Sequence, residues 1–150
     1  MQVFKEMIGC SVNKIYIDDS ELYLKFETKD KNFIYMAEKE CCNDVWFAHI
    51  TGLPFLLNST IKKVVSYKLK DVLTLDADED SLEGCQEFEE ILQWTLITTK
   101  GRFSIEVRNS NNGYYGGKII YLDNLNDIFF LGELFQKGPK LKFKEITKDF

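Results

Sequence analysis

The 150 residues, 45% hydrophobic and 14% aromatic with 29% charged side chains, have the composition of one globular domain able to bury a core. The net charge of −5 is concentrated, because residues 76–90 carry eight acids and no base, a field that repels a phosphate backbone and disfavours general nucleic-acid binding. Apolar runs such as 54–57 and 128–131 fall far short of the ~20 residues that cross a bilayer, and the start lacks a basic flank followed by an apolar stretch and cleavage site, so a cytoplasmic protein is expected.

Three early runs, 12–17, 22–28 and 33–37, carry large apolar side chains recurring at period two and read as strands. In the second, Leu22, Leu24 and Phe26 face one way and Tyr23, Lys25 and Glu27 the other, the pattern of a sheet with one solvated side. Asp18-Asp19-Ser20 and Lys29-Asp30-Lys31-Asn32 supply the turns of this meander. A short helix is expected next: Asn43 or Asp44 can cap it, Val45, Trp46, His49 and Ile50 lie at helical spacing, and Gly52 with Pro54 ends it.

A strand follows over 60–69, then, beyond the acidic segment, strands over 91–100 and 102–108 joined at Lys100-Gly101, where glycine permits a tight hairpin. A loop over 109–117 leads to a strand over 118–122. Residues 126–135 have the pattern of an amphipathic helix, Gly138-Pro139 breaks it, and 141–146 alternate again. Val12-Asn13-Lys14-Ile15 is echoed by Ile61-Lys62-Lys63-Val64, and each is followed by a hairpin carrying Thr-Lys at its turn, Thr28-Lys29 and Thr99-Lys100. The echo reads either as two related three-stranded halves or as chance reuse of strand-forming residues. The expected fold is α+β and mostly β: an antiparallel, strongly curved sheet or barrel-like meander with one or two short helices, in a single domain 1–150.

Cys10, Cys41, Cys42 and Cys85 form no Cys-x-x-Cys pair, so reduced thiols are expected and structural zinc is not. Asn58-Ser59-Thr60 is a glycosylation acceptor pattern with no consequence in the cytoplasm. Lys outnumbers Arg 17 to 2, Asn reaches 9 and Ala only 3, as in AT-rich coding DNA, which suggests a low-GC bacterium or its phage.

Two blocks carry a family likeness. Cys41-Cys42 with Trp46, Ile50-x-Gly52, Leu57 and Thr60-Ile61, followed by Trp94, Thr98-Thr99-Lys100-Gly101-x-Phe103-x-Ile105 and Ser110-Asn111-Asn112-Gly113-Tyr114-Tyr115, resembles a family of small phage and bacterial proteins known as a domain of unknown function. The likeness covers 8–122; it leaves 76–90 as an acidic insertion and 124–150 as a C-terminal extension. It implies a phage-associated accessory domain and brings no enzyme activity with it.

The loop is the most site-like feature. Asn111, Asn112, Gly113, Gly116 and Gly117 let successive N–H groups point into one anion-binding concavity, and Tyr114 and Tyr115 offer stacking faces, which suits a nucleotide-like ligand; the competing reading is a long turn whose tyrosines cover a sheet edge. Cys41 or Cys42 with His49, the only histidine, could pair as nucleophile and base, against the simpler reading of core packing beside Trp46. Asp76, Asp78, Asp80, Leu82, Gly84 and Glu87 fall at the spacing of a calcium loop, but Ser81 stands where the turn needs glycine. Asp76, Asp78, Glu79, Asp80 and Glu83 instead read as a solvated loop or a protein-binding surface.

Ile128, Phe129, Phe130, Leu131, Leu134 and Phe135 exceed one helical stripe, so the tail packs back on the sheet or pairs with a second copy. With no phosphate loop, nucleophile elbow or metal motif, the expectation is a non-enzymatic phage accessory protein without a cofactor, inhibiting a host defence or regulatory component by occluding a host protein or sequestering a small nucleotide-like ligand. The alternative is a small metal-dependent hydrolase or nuclease built from dispersed carboxylates.

Overall fold

The computed structural model describes residues 3–38, 44–73, 88–111, 118–122 and 143–147. A 3-10 turn, Lys5–Met7, precedes β1 (Val12–Asp18), β2 (Tyr23–Thr28) and β3 (Asn32–Glu38); then come β4 (Asp44–Thr51), α1 (Leu53–Leu56), β5 (Ile61–Leu73), β6 (Phe88–Thr98), β7 (Arg102–Asn111), β8 (Lys118–Leu122) and β9 (Phe143–Glu145). The fold is mostly β, as the period-two pattern predicts. Its strands divide between two antiparallel sheets, β8-β3-β2-β1-β9 and β4-β7-β6-β5, where one curved or barrel-like sheet was expected, and among the described residues neither closes into a barrel. No described helix is long and apolar enough to cross a membrane.

The inward side chains of both sheets share one core. Leu24, Phe26, Phe33 and Tyr35 from the first meet Trp94, Leu96, Phe103 and Ile105 from the second, all buried. Phe26 and Phe103 touch edge to face across the layers with ring centroids 6.3 Å apart, and Phe4 reaches from the N-terminal turn to Tyr35 and Trp94 at 4.3 and 5.6 Å. Each such ring contributes roughly 1.5–3 kcal/mol through removal from water.

The stretch expected to be helical at 44–50 is instead strand β4. Val45, Phe47 and Ile50 face the core opposite Asn109, Val107 and Ile105, while Trp46, His49 and Thr51 face outward opposite Arg108, Glu106 and Ser104. A bulge between Phe47 and His49 adds one residue, so the strand's alternation slips by one and the 45, 46, 49, 50 set expected on one side of a helix is split between the two faces of a strand. Gly52 and Pro54 start a helix here rather than end one: Gly52 caps α1 with φ 85° and proline sits in the first turn. A Cβ on Gly52 would lie 2.2 Å from the Arg102 carbonyl oxygen.

The faint internal echo corresponds to a duplicated architecture. Each half begins with one short helical turn, and Phe4 and Met7 are buried as Leu53 and Leu56 are. The turns end alike, Ile8 at φ −60°, ψ 131° and Leu57 at φ −65°, ψ 131°, and each is followed by a left-handed residue, Gly9 or Asn58. Ser11 and Thr60 then bridge each other antiparallel, which is where an internal two-fold axis places equivalent residues. Bulges fall at matching places, between Val12 and Lys14 and between Ile61 and Lys63.

Both central hairpins close on a threonine. Thr28 Oγ1 accepts from Lys31 N at 3.1 Å, and Thr98 Oγ1 accepts from Gly101 N at 3.2 Å. The meander β1-β2-β3 thus matches β5-β6-β7, and each is extended by the strand that follows the other, β8 beside β3 and β4 beside β7.

Candidate functional site

The halves differ most in their first hairpins. β1 and β2, of 7 and 6 residues, close on a compact turn in which buried Asp18 accepts from Ser20 N at 3.1 Å, Leu22 N at 2.9 Å and Tyr23 N at 2.7 Å, and from Ser20 Oγ. β5 and β6 run to 13 and 11 residues. They stay paired out to Leu73 opposite Phe88; between these two lies the acidic stretch 74–87. At the near part of this arm Lys68 Nζ lies 3.6 Å from Glu90 Oε2, and Tyr67 is 49% exposed.

The register brings this hairpin's far end to the other segments singled out by the sequence. Phe88 is opposite Asn111, the last residue of β7, and Ser110 is opposite Asp44, the first of β4. The acidic stretch, the Asn/Gly/Tyr stretch after Asn111 and the Cys41-Cys42 stretch before Asp44 therefore all meet the described strands at one end of the four-stranded sheet. Asp76, Asp78, Glu79, Asp80, Glu83, Asn112, Gly113, Tyr114, Tyr115, Gly116, Gly117, Phe129 and Phe130 lie outside the described residues, as do Cys41, Cys42 and Cys85; of Asn111 only the backbone pairing is described. Among the described residues no group of three or more His, Cys, Asp or Glu could hold a metal ion.

The outward face of the same sheet carries a polar lattice. Glu106 Oε2 accepts from Arg108 Nε at 3.2 Å and lies 3.6 Å from His49 Nε2, whose side chain is 67% exposed. Beside them Gln93 Nε2 donates to Thr95 Oγ1 at 3.3 Å and Ser104 Oγ at 3.4 Å, and Thr95 and Ser104 share a hydrogen bond of 3.1 Å. Glu106, Arg108 and Ser104 were not singled out by the sequence reading, although their alternation with Phe103, Ile105 and Val107 was a usable signal. His49 stands outward on a strand, not on a core-facing helix beside Trp46.

A cleft of about 220 Å³ opens where the β4 bulge meets the β1–β2 turn, lined by Ile17, Phe47, Ile50, Leu53 and Ile146 with Glu21 and His49 among its polar members. Glu21 is left-handed at φ 60°, and its carbonyl accepts from Phe47 N at 2.9 Å. The cleft has the size and lining to take one apolar side chain of a partner. Tyr35, in the core, is a structural donor: burial, and then the Glu6 carboxylate, push its hydroxyl far above the ordinary tyrosine value, so it stays protonated and donates to Glu6 Oε2 at 3.0 Å.

Residues 5–121 match the family model described as Domain of unknown function (DUF7448). The chain belongs to the DUF7448 family. The DUF7448 match runs from the first turn of the first half into β8, the last strand of the second, and so spans nearly all of the duplicated unit. β9 and the chain before it fall outside it. The chain is also similar to "Uncharacterized protein L278" of Acanthamoeba polyphaga mimivirus, with 26% identity over 113 residues that cover 73% of this chain and 85% of that protein. No solved structure matches.

Proposed function

We propose that this DUF7448 chain is a non-enzymatic, phage-encoded accessory protein that inhibits a host defence or regulatory component by occluding a basic protein surface with its acidic β5–β6 arm. The observation that carries this reading is the departure from internal symmetry. The first half closes β1–β2 on a turn held by one aspartate, whereas the second extends the equivalent hairpin to strands of 13 and 11 residues around a stretch rich in acids. A scaffold that closes with the short turn does not need the long arm for folding, and such extensions are where binding functions reside. The similarity to an uncharacterised mimivirus protein is in keeping with a viral setting.

The register weighs between the two binding mechanisms. The Asn/Gly/Tyr stretch adjoins the arm that carries eight acids over 76–90, and that field opposes an anionic nucleotide while attracting a cationic protein surface. The test is capture from host lysate on the immobilised full chain. A stoichiometric partner should elute as salt is raised through a few hundred mM, where the Debye length falls below ~8 Å, and should be lost when Asp76, Asp78, Glu79, Asp80 and Glu83 are changed to Asn or Gln. Equal capture by that variant, or nucleotide mass retained on the purified protein in native mass spectrometry, would overturn the reading.

A further inference from the structure

The five-stranded sheet buries apolar side chains on the face turned away from the core. Ile34 is 2% exposed and Leu122 6%, and the described hydrophobic residues packed with them, Tyr23, Met36 and Ile120, all come from the sheet itself. The internal two-fold supplies the control. In the four-stranded sheet the positions equivalent to Tyr23, Ile34, Met36, Ile120 and Leu122 are Gln93, Ser104, Glu106, His49 and Thr51, by matching registers. One fold position is thus polar where it meets water and apolar where something covers it.

Topology names the cover. β8 is antiparallel to β3, β3 to β2, β2 to β1 and β1 to β9, so β8 and β9, at opposite edges of one sheet, run in the same direction. Joining two parallel strands of a sheet takes a crossover over one of its faces. The inner face is filled by the second sheet and the shared core, which leaves the outer one. The edges are about 19 Å apart at ~4.8 Å per strand, and residues 123–142 reach about 30 Å even at a helical ~1.5 Å per residue. That segment contains Ile128, Phe129, Phe130, Leu131, Leu134 and Phe135.

We infer that the outward face of the β8-β3-β2-β1-β9 sheet is the docking face for the chain's own residues 123–142, which cross it from Leu122 to Phe143 and place their apolar side chains over Ile34, Met36 and Leu122. The two-layer unit matched by the family thereby gains a third layer made of this chain's extension. The inference rests on the fold and stands or falls independently of the binding reading above.

Photo-methionine incorporation tests it in the full chain without a disruptive substitution, since Met36 sits in the patch. After irradiation of a mixture of light and isotope-heavy chains, fragment ions should locate cross-links from Met36 to residues 123–142 within one chain. Cross-links from Met36 only between light and heavy copies would assign the face to a dimer and overturn the inference. So would a Met36 cross-link pattern confined to the sheet's own strands.

Discussion

Asp18→Ala should cost the domain about 2–4 kcal/mol. The carboxylate is 4% exposed and receives Leu22 N at 2.9 Å and Tyr23 N at 2.7 Å as well as Ser20 N at 3.1 Å. Alanine leaves these donors without an acceptor, and each unsatisfied N–H in a partly buried turn costs about 1–3 kcal/mol, with water recovering part of it. In a domain of this size that is a fall in Tm of about 2–4 °C per kcal/mol. Asp18→Asn keeps one carbonyl oxygen and should lose about half as much, while Asp19→Ala, an exposed neighbour, should stay within ~0.5 kcal/mol. Urea denaturation of the three variants with an unchanged m-value measures this. A loss below ~1 kcal/mol for Asp18→Ala, or an equal loss for Asp19→Ala, would refute the assignment of Asp18 as the clasp that lets the first half close without an arm.

Gly9→Ala and Gly52→Ala share a left-handed backbone but not a setting. Gly9 has open space around it, so its variant should lose only the ~1–2 kcal/mol of the disfavoured conformation, whereas at Gly52 the added Cβ would lie 2.2 Å from the Arg102 carbonyl oxygen and the variant should lose distinctly more, as read by thermal melts. Ile34→Ser, which installs the residue found at its two-fold equivalent, should cost about 2–4 kcal/mol, and Ser104→Asn, on the wetted sheet, under ~1 kcal/mol; equal losses would contradict the asymmetric faces. Burial raises the Tyr35 hydroxyl above its ordinary value, so above about pH 10 the unfolded chain releases a proton that the native one keeps. Stability must then fall as pH rises through that range; Tyr35→Phe should flatten the decline between pH 9 and 11.

Strand content was legible because period two is a local signal. Leu24/Phe26 and Phe103/Ile105/Val107 announce their buried face without any knowledge of what covers it. The partition into two sheets was not legible, since it depends on β4 and β8 changing places between halves, a non-local choice that the residues of either strand do not encode. β4 was misread because Val45, Trp46, His49 and Ile50 fall at helical spacing while the bulge sets Val45 and Ile50 inward and Trp46 and His49 outward on a strand whose alternation slips by one.

The duplication was visible only as Val12–Ile15 against Ile61–Val64 and two threonine turns. Its stronger marks, Gly9 with Asn58 and the Ser11–Thr60 bridge, lie in backbone geometry that different side chains can adopt. The reading of one solvated face on the first sheet holds for Lys25 and Glu27 but fails beside them, where Ile34 and Leu122 are covered. At the candidate site, the acidic and Asn/Gly/Tyr segments were recognised separately, and only strand register showed that they join one end of one sheet.

We propose that the β5–β6 arm serves binding and not folding. Replacing residues 74–87 with Asn-Gly joins Leu73 to Phe88, already paired across the hairpin, through a two-residue turn suited to that geometry. Folding stability of this variant should stay within ~1 kcal/mol of the full chain, with complete loss of the host protein captured by the intact protein. A variant that fails to fold, or that folds and still captures the same protein, would contradict it.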